Sequence, residues 1–167
     1  MKSIELQKPL AVANFVIEVA KKKGNPVTNL KLQKILFFLQ GYFLSNYGAP
    51  LIDGSFSKWK FGPVEQEVYK EFKDYGPAPI ETKSVRFDVE SLNFYSEEIE
   101  ITLSLKDEIE NFISKIIKKE AWELVNLTHG HYSWKDFKDE IMAQATKDYT
   151  DKEIVDCFNY SKLELGV

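Results

Sequence analysis

The segment from Asn29 to Tyr47 constrains this chain more than any other. Thr28 or Asn29 can cap its start, and Gly48 stops it. Every residue from Ile35 to Leu39 is apolar, and Tyr42, Phe43 and Leu44 follow. A helix that is apolar all round has no face to turn to water, so it must be central and buried. The apolar window is broken by Gln40 and Gly41. It is far short of the roughly 20 residues that a membrane span needs. Gly41 in mid-helix costs about 1 kcal/mol relative to alanine, which predicts the close approach of another element. Gln33 and Gln40 fall on one stripe, and buried amides need partners. Backbone groups of a neighbouring strand are the expected partners, with a binding partner as the alternative.

The flanking segments are readable as elements around that helix. A first helix from Pro9 to Lys23 carries an apolar stripe of Leu10, Ala13, Val16, Ile17 and Ala20, with Gly24 and Pro26 ending it. Ser55 to Phe61 reads as a short strand with Ser57, Trp59 and Phe61 on one side. Gly62 and Pro63 are expected to end it, with Pro63 opening a third helix to Tyr75. Val64, Val68, Phe72 and Tyr75 form that helix's inner stripe, and Glu65, Glu67 and Glu71 face mostly outward. Alternation at Val85, Phe87 and Val89, and again at Ile99, Ile101 and Leu103, predicts two half-buried strands. They would pair across a polar loop near residues 90–98, unless the region is a mobile insertion. Ser104 is expected to cap a helix from Leu105 to Lys119, and Ser133 a segment holding Trp134. Thr150 and Glu153 form a capping-box pattern that opens a final helix. The expected fold is mostly α: one helical domain over residues 1–167, built around a central apolar helix, with a small antiparallel β element.

Composition narrows the function. The 167 residues carry a net charge of −4, and nucleic-acid binders more often show a basic footprint. A single cysteine, Cys157, allows no disulfide within the chain and fits a reducing cytoplasm. Its neighbours Val155 and Phe158 predict a buried thiol. The first eight residues carry charge too early for a secretory leader. His129 and His131 invite a metal reading, but two histidines fall short of the four ligands that structural sites use. Lys58, Trp59, Lys60 and Phe61 interleave basic and aromatic residues in the manner of a base-stacking surface. A strand with one face in the core accounts for the same pattern and is preferred. Glu97, Glu98 and the helix-three carboxylates read as solvated faces. No nucleophile motif, phosphate loop or dinucleotide fingerprint is present. No catalytic, cofactor-binding or metal residue is assigned, and no enzymatic activity is expected.

Three separated motifs carry a family resemblance. The first comprises Asn14, then Asn29, Leu30, Lys31, Leu32, Gln33 and Lys34, continued by Gln40 and Gly41. The second comprises Trp59, Phe61, Gly62, Pro63 and Val64 with Tyr69, and the third Thr128 and His129 followed by Trp134. Their order and spread resemble the Panacea domain of the SocA-type antitoxin family, also known as phage-associated proteins. The resemblance implies an antitoxin whose partner is a cognate toxin protein, neutralised by direct binding. Alternatively it implies an adaptor that delivers a toxin to a Clp protease. It implies no reaction and no cofactor. A DNA-binding regulator is the remaining alternative. The motif residues are expected to support shape. Partner-contacting residues stay unassigned, with the outward side of helix one and the segment from Thr82 to Glu98 as the surfaces to test.

Overall fold

The computed structural model describes residues 3–167. Met1 and Lys2, on which part of the leader reading rests, lie outside them. Among the described residues there are eight α-helices and two antiparallel sheets of two strands each.

Helix α1 (Pro9–Lys22) begins on a proline and ends on its lysines, where cations suit the helix dipole. Helix α2 (Asn29–Tyr47) is the centre of the fold. The Thr28 hydroxyl accepts from the Lys31 N–H, and Gly48 closes the other end in the left-handed region. Ile35, Leu36, Phe37, Phe38 and Leu39 are all fully buried. That burial requires neighbours on every side, and α2 has them in α1, α3, α4, α5 and α8. Helix α8 (Asp151–Leu165) lies most extensively along it. Gly41 is the reason it can. A Cβ added there would sit 2.5 Å from Cβ of Phe158 and 3.2 Å from the Ile154 carbonyl oxygen. The capping box at Thr150 and Glu153 opens α8 as expected.

The segment after α2 differs from the sequence reading. Strand β1 (Ser57–Trp59) turns through Lys60 and Phe61 into a second strand, β2 (Gly62–Val64), with Trp59 opposite Gly62 and Lys58 opposite Pro63. Gly62 and Pro63 therefore continue the sheet instead of ending it. Proline is tolerated because a two-stranded ribbon leaves positions whose N–H points off the ladder. Helix α3 (Gln66–Phe72) starts later than Pro63, capped by Glu65, whose carboxylate accepts from the Val68 N–H at 2.8 Å. Glu65 is consequently buried, not outward. A 3-10 turn over Lys73–Tyr75 follows.

The middle of the chain corrects a second expectation. Strand β3 (Arg86–Asp88) pairs with β4 (Asn93–Tyr95), so the second strand comes from the presumed loop. Ile99 to Leu103 is not a strand: Ile99 is buried in irregular chain, and Leu103 already belongs to α4 (Leu103–Ile116). Thr102, not Ser104, caps α4, and its hydroxyl accepts from the Leu105 N–H. Helix α5 (Ala121–Gly130) is followed by the short α6 (Tyr132–Lys135) and α7 (Lys138–Met142). His131, not Ser133, caps α6.

Candidate functional site

Parts of all three motifs meet at one polar junction beside α2. Lys34 is fully buried in the middle of that helix. Its ammonium donates to the Pro63 carbonyl at 3.1 Å, and burial pushes its pKa down to about 7. Gly62 lies directly against it. An added Cβ there would come within 2.7 Å of Lys34 Cε and 2.8 Å of Thr128 Oγ1, and the backbone φ of +102° disfavours any side chain. Two more donors seize the same hairpin. Trp134 Nε1 donates to the Trp59 carbonyl at 2.9 Å. His129 Nε2 lies 3.0 Å from the Lys60 carbonyl, which can only accept, so that nitrogen carries the proton. The His129 ring stacks on Trp134 at 3.8 Å, and burial lowers its pKa. Three backbone carbonyls of the β1–β2 hairpin are thus held by side chains from α2, α5 and α6.

Amides extend the junction. Gln33 Oε1 accepts from the Glu65 N–H at 2.8 Å, and Gln33 Nε2 donates to Asn29 Oδ1 at 3.0 Å. Asn29 Nδ2 in turn reaches the Tyr69 carbonyl. Burial raises the Glu65 pKa, while N–H donors at Val68 and Glu67 pull it back. Gln40 makes a second such joint: Oε1 accepts from the N–H groups of Leu51 and Ile52, and Nε2 donates to the Ile52 carbonyl. Both glutamines are satisfied by the chain's own groups, mainly loop backbone. Lys31 donates to the Ile117 carbonyl at the end of α4. Leu32, Gly41 and Val64 are buried around these contacts, and Thr128 returns a hydrogen bond to the Val125 carbonyl. Leu30, Phe61 and Tyr69 are the motif side chains left exposed.

Asn14 acts elsewhere. Its Oδ1 accepts from the Ser84 N–H at 2.9 Å and its Nδ2 donates to the Glu97 carbonyl at 3.0 Å. One side chain therefore pins both ends of the β3–β4 hairpin. Ser84 also donates to Glu71, and Arg86 faces Glu67 and Glu71 of α3 at 3.9 and 4.0 Å. The anchored face is polar, and the apolar face is turned outward. Val89 is 75% and Phe94 74% exposed, with Val85, Phe87 and Leu92 also exposed. The alternation at Val85, Phe87 and Val89 predicts a strand with its apolar face inward; β3 instead turns that face outward, and its partner β4 is exposed throughout.

A model of the family described as "Antitoxin SocA-like, Panacea domain" matches residues 32–135. The chain belongs to this family. It is also 43% identical over 79 residues to Antitoxin SocA of Caulobacter vibrioides, a match covering 47% of this chain and 42% of that protein. The aligned stretch thus spans less than half of the curated relative. No solved structure matches the chain. The Panacea match takes in Lys34, the β1–β2 hairpin, Thr128, His129 and Trp134, but leaves α1 with Asn14, the first residues of α2 from Asn29 to Lys31, and all of α8 outside.

Several site features of this Panacea protein escaped sequence reasoning because charge was equated with surface. Lys34, Lys58 and Glu65 are all buried. Lys58 pairs with Glu153 at 2.7 Å and lies over the Phe137 ring. The usable signal for Lys34 was its place among Leu32, Ile35, Phe37 and Phe38, on a helix with no outer face. His129 and His131 take separate partners, His131 Nδ1 lying 2.7 Å from the Ser133 hydroxyl. The described residues contain no group of three or more His, Cys, Asp or Glu placed to hold a metal ion.

Proposed function

We propose that this protein is an antitoxin that neutralises a cognate toxin by binding it directly, in the cytoplasm and without catalysing a reaction. The observation that carries the reading is how its side chains are deployed. The polar motif residues are occupied with the chain's own backbone, whereas Phe61, Phe87, Phe94 and Tyr160 remain exposed. Aromatic side chains on a rigid support are what protein interfaces use as anchors. Membership of the antitoxin family points the same way. On this reading the motif residues support shape. Residues 1–167 act as one domain, supported by a single cluster of buried apolar residues that runs from α1 to α8. No described helix is long and apolar enough to cross a membrane. The buried α2 offers no face to a DNA groove, which weighs against a regulator that would use it as a recognition helix.

The test is co-expression of the gene adjacent to this one, with and without this chain, in cells with and without Clp protease. Rescue from toxicity in both backgrounds, with a complex on co-purification, is the expected result. Rescue only with the protease would replace direct neutralisation by the adaptor mechanism. A harmless neighbour and no complex would remove the antitoxin reading.

A further inference from the structure

We infer that the outward face of the β3–β4 hairpin is the toxin-docking surface, and that it receives an apolar patch rimmed by lysine or arginine. The inference rests on the antitoxin reading and adds the place of contact and the chemistry of the partner.

Three observations carry it. The first is the orientation of the hairpin. Successive strand residues point to opposite faces. Ser84 is buried against Asn14 of α1 and Glu71 of α3, and Arg86 is half-buried toward Glu67 and Glu71, while Val85, Phe87 and Val89 point to solvent. Across the ribbon Phe94 packs on Phe87, with ring centroids 5.1 Å apart. Leu92 extends the patch at the turn with a φ of +57°. Hydrophobic burial would favour the reverse arrangement. The hairpin is held this way by its polar contacts with Asn14, Glu67 and Glu71.

The second observation is rigidity at the base. A lone two-stranded ribbon is marginal in water. Here both ends are pinned by Asn14, and Gln7 makes two further hydrogen bonds to the backbone of Glu100. An apolar face held in position reduces the ordering cost of association.

The third is charge. Residues 81–100 hold six carboxylates, at Glu81, Asp88, Glu90, Glu97, Glu98 and Glu100, against Lys83 and Arg86. Three cations pair at this segment, Lys83 with Glu18 and Glu98, Arg86 with Glu67 and Glu71, and Lys8 with Glu97, which leaves Glu81, Asp88, Glu90 and Glu100 outside the ion pairs of the described residues. The rim is therefore acidic. Complementarity selects a cationic partner. It disfavours a second copy of this chain, which would bring two acidic rims together, and it disfavours anionic lipid.

The decisive experiment measures toxin affinity for four forms of the full chain: wild type, Phe87→Ser/Phe94→Ser, Glu90→Lys and Trp122→Ser. The toxin is the neighbouring gene product that co-purifies with wild type. Because Phe87 and Phe94 are exposed, thermal melts of the double variant should match wild type. Its affinity should fall by roughly 100-fold or more, as for paired anchor residues. Glu90→Lys, which leaves the aromatic pair intact, should slow association by about tenfold at low salt, and added salt should erase the difference. Trp122→Ser, on α5, should bind as wild type. If wild type binds but the hairpin variants bind equally well, the docking surface is elsewhere and the antitoxin reading stands. If wild type forms no complex, the antitoxin reading fails and the docking surface with it. If wild type alone dimerises, and the double variant becomes monomeric with toxin affinity unchanged, the occupant is a second copy and the inference is overturned.

Discussion

Replacing Lys34 with methionine should flatten part of the pH dependence of stability. In the folded chain burial holds the Lys34 ammonium at a pKa of about 7, against 10.5 when solvated. Below pH 7 both states carry the proton, and the cost of burying the charge is present in full. Between pH 7 and 10.5 the unfolded chain holds a proton that the folded chain has lost. Stability must therefore rise with pH across that window. Integrating the two titrations from pH 7 to 9 gives a gain of about 2 kcal/mol for wild type over Lys34→Met. Groups that do not feel the Lys34 charge cancel in the comparison. The Cys157 thiol, raised to about 12, and the tyrosines bound to Glu108 and Asp156 bend both curves down at high pH. Lys31 titrates in both proteins, and the lowered pKa of His129 places it below the window. Leaving the Pro63 carbonyl without its donor adds a penalty of about 1–3 kcal/mol that does not vary with pH. Urea unfolding at pH 7, 8 and 9 reads both effects. Parallel stability curves for the two proteins would refute the claim that Lys34 loses its charge in the fold.

Three further outcomes are expected. Gly41→Ala should destabilise by about 1–3 kcal/mol despite its better helix propensity, because the new methyl meets Phe158 at 2.5 Å; a neutral result in denaturant melts would mean that α8 is not seated there. Gln40→Leu should cost at least about 2 kcal/mol by orphaning the N–H groups of Leu51 and Ile52 together with the Ile52 carbonyl, and it should be read by the same melts. Cys157 is fully buried with its thiol raised to about 12, so a disulfide reagent at pH 8 should modify it no faster than the protein opens; rapid labelling of the native protein would contradict its placement.

What was legible in the sequence was whatever periodicity and caps encode. The all-round apolar run placed α2 at the centre, and Gly41 in mid-helix announced the close approach of another element, which the structure identifies as α8. Gln33 and Gln40 declared their need for partners, and Thr150 with Glu153 marked the start of α8. The misreadings have physical causes. Gly62 and Pro63 are stop signals in most contexts, yet here three side-chain donors hold the hairpin that contains them. Alternation reveals that a strand has two unlike faces, but not which one turns inward. At Phe87 and Phe94 polar contacts on the opposite side settled the matter. The burial of Lys34 follows from its apolar neighbours on α2, but its partner does not, because the hydrogen bond runs to Pro63, 29 residues away in the chain.

The seating of α8 against Gly41 also sets a schedule. Protein synthesis adds roughly 5–20 residues per second. Asp151 follows Tyr47 by 104 residues, so at that rate about 5–20 s pass before α8 can exist. Throughout that interval the flank of α2 that α8 will cover is bare. Each newly made chain therefore passes through a period in which its most apolar helix is open to proteases, chaperones and other nascent chains, and it closes only when the groove at Gly41 is filled.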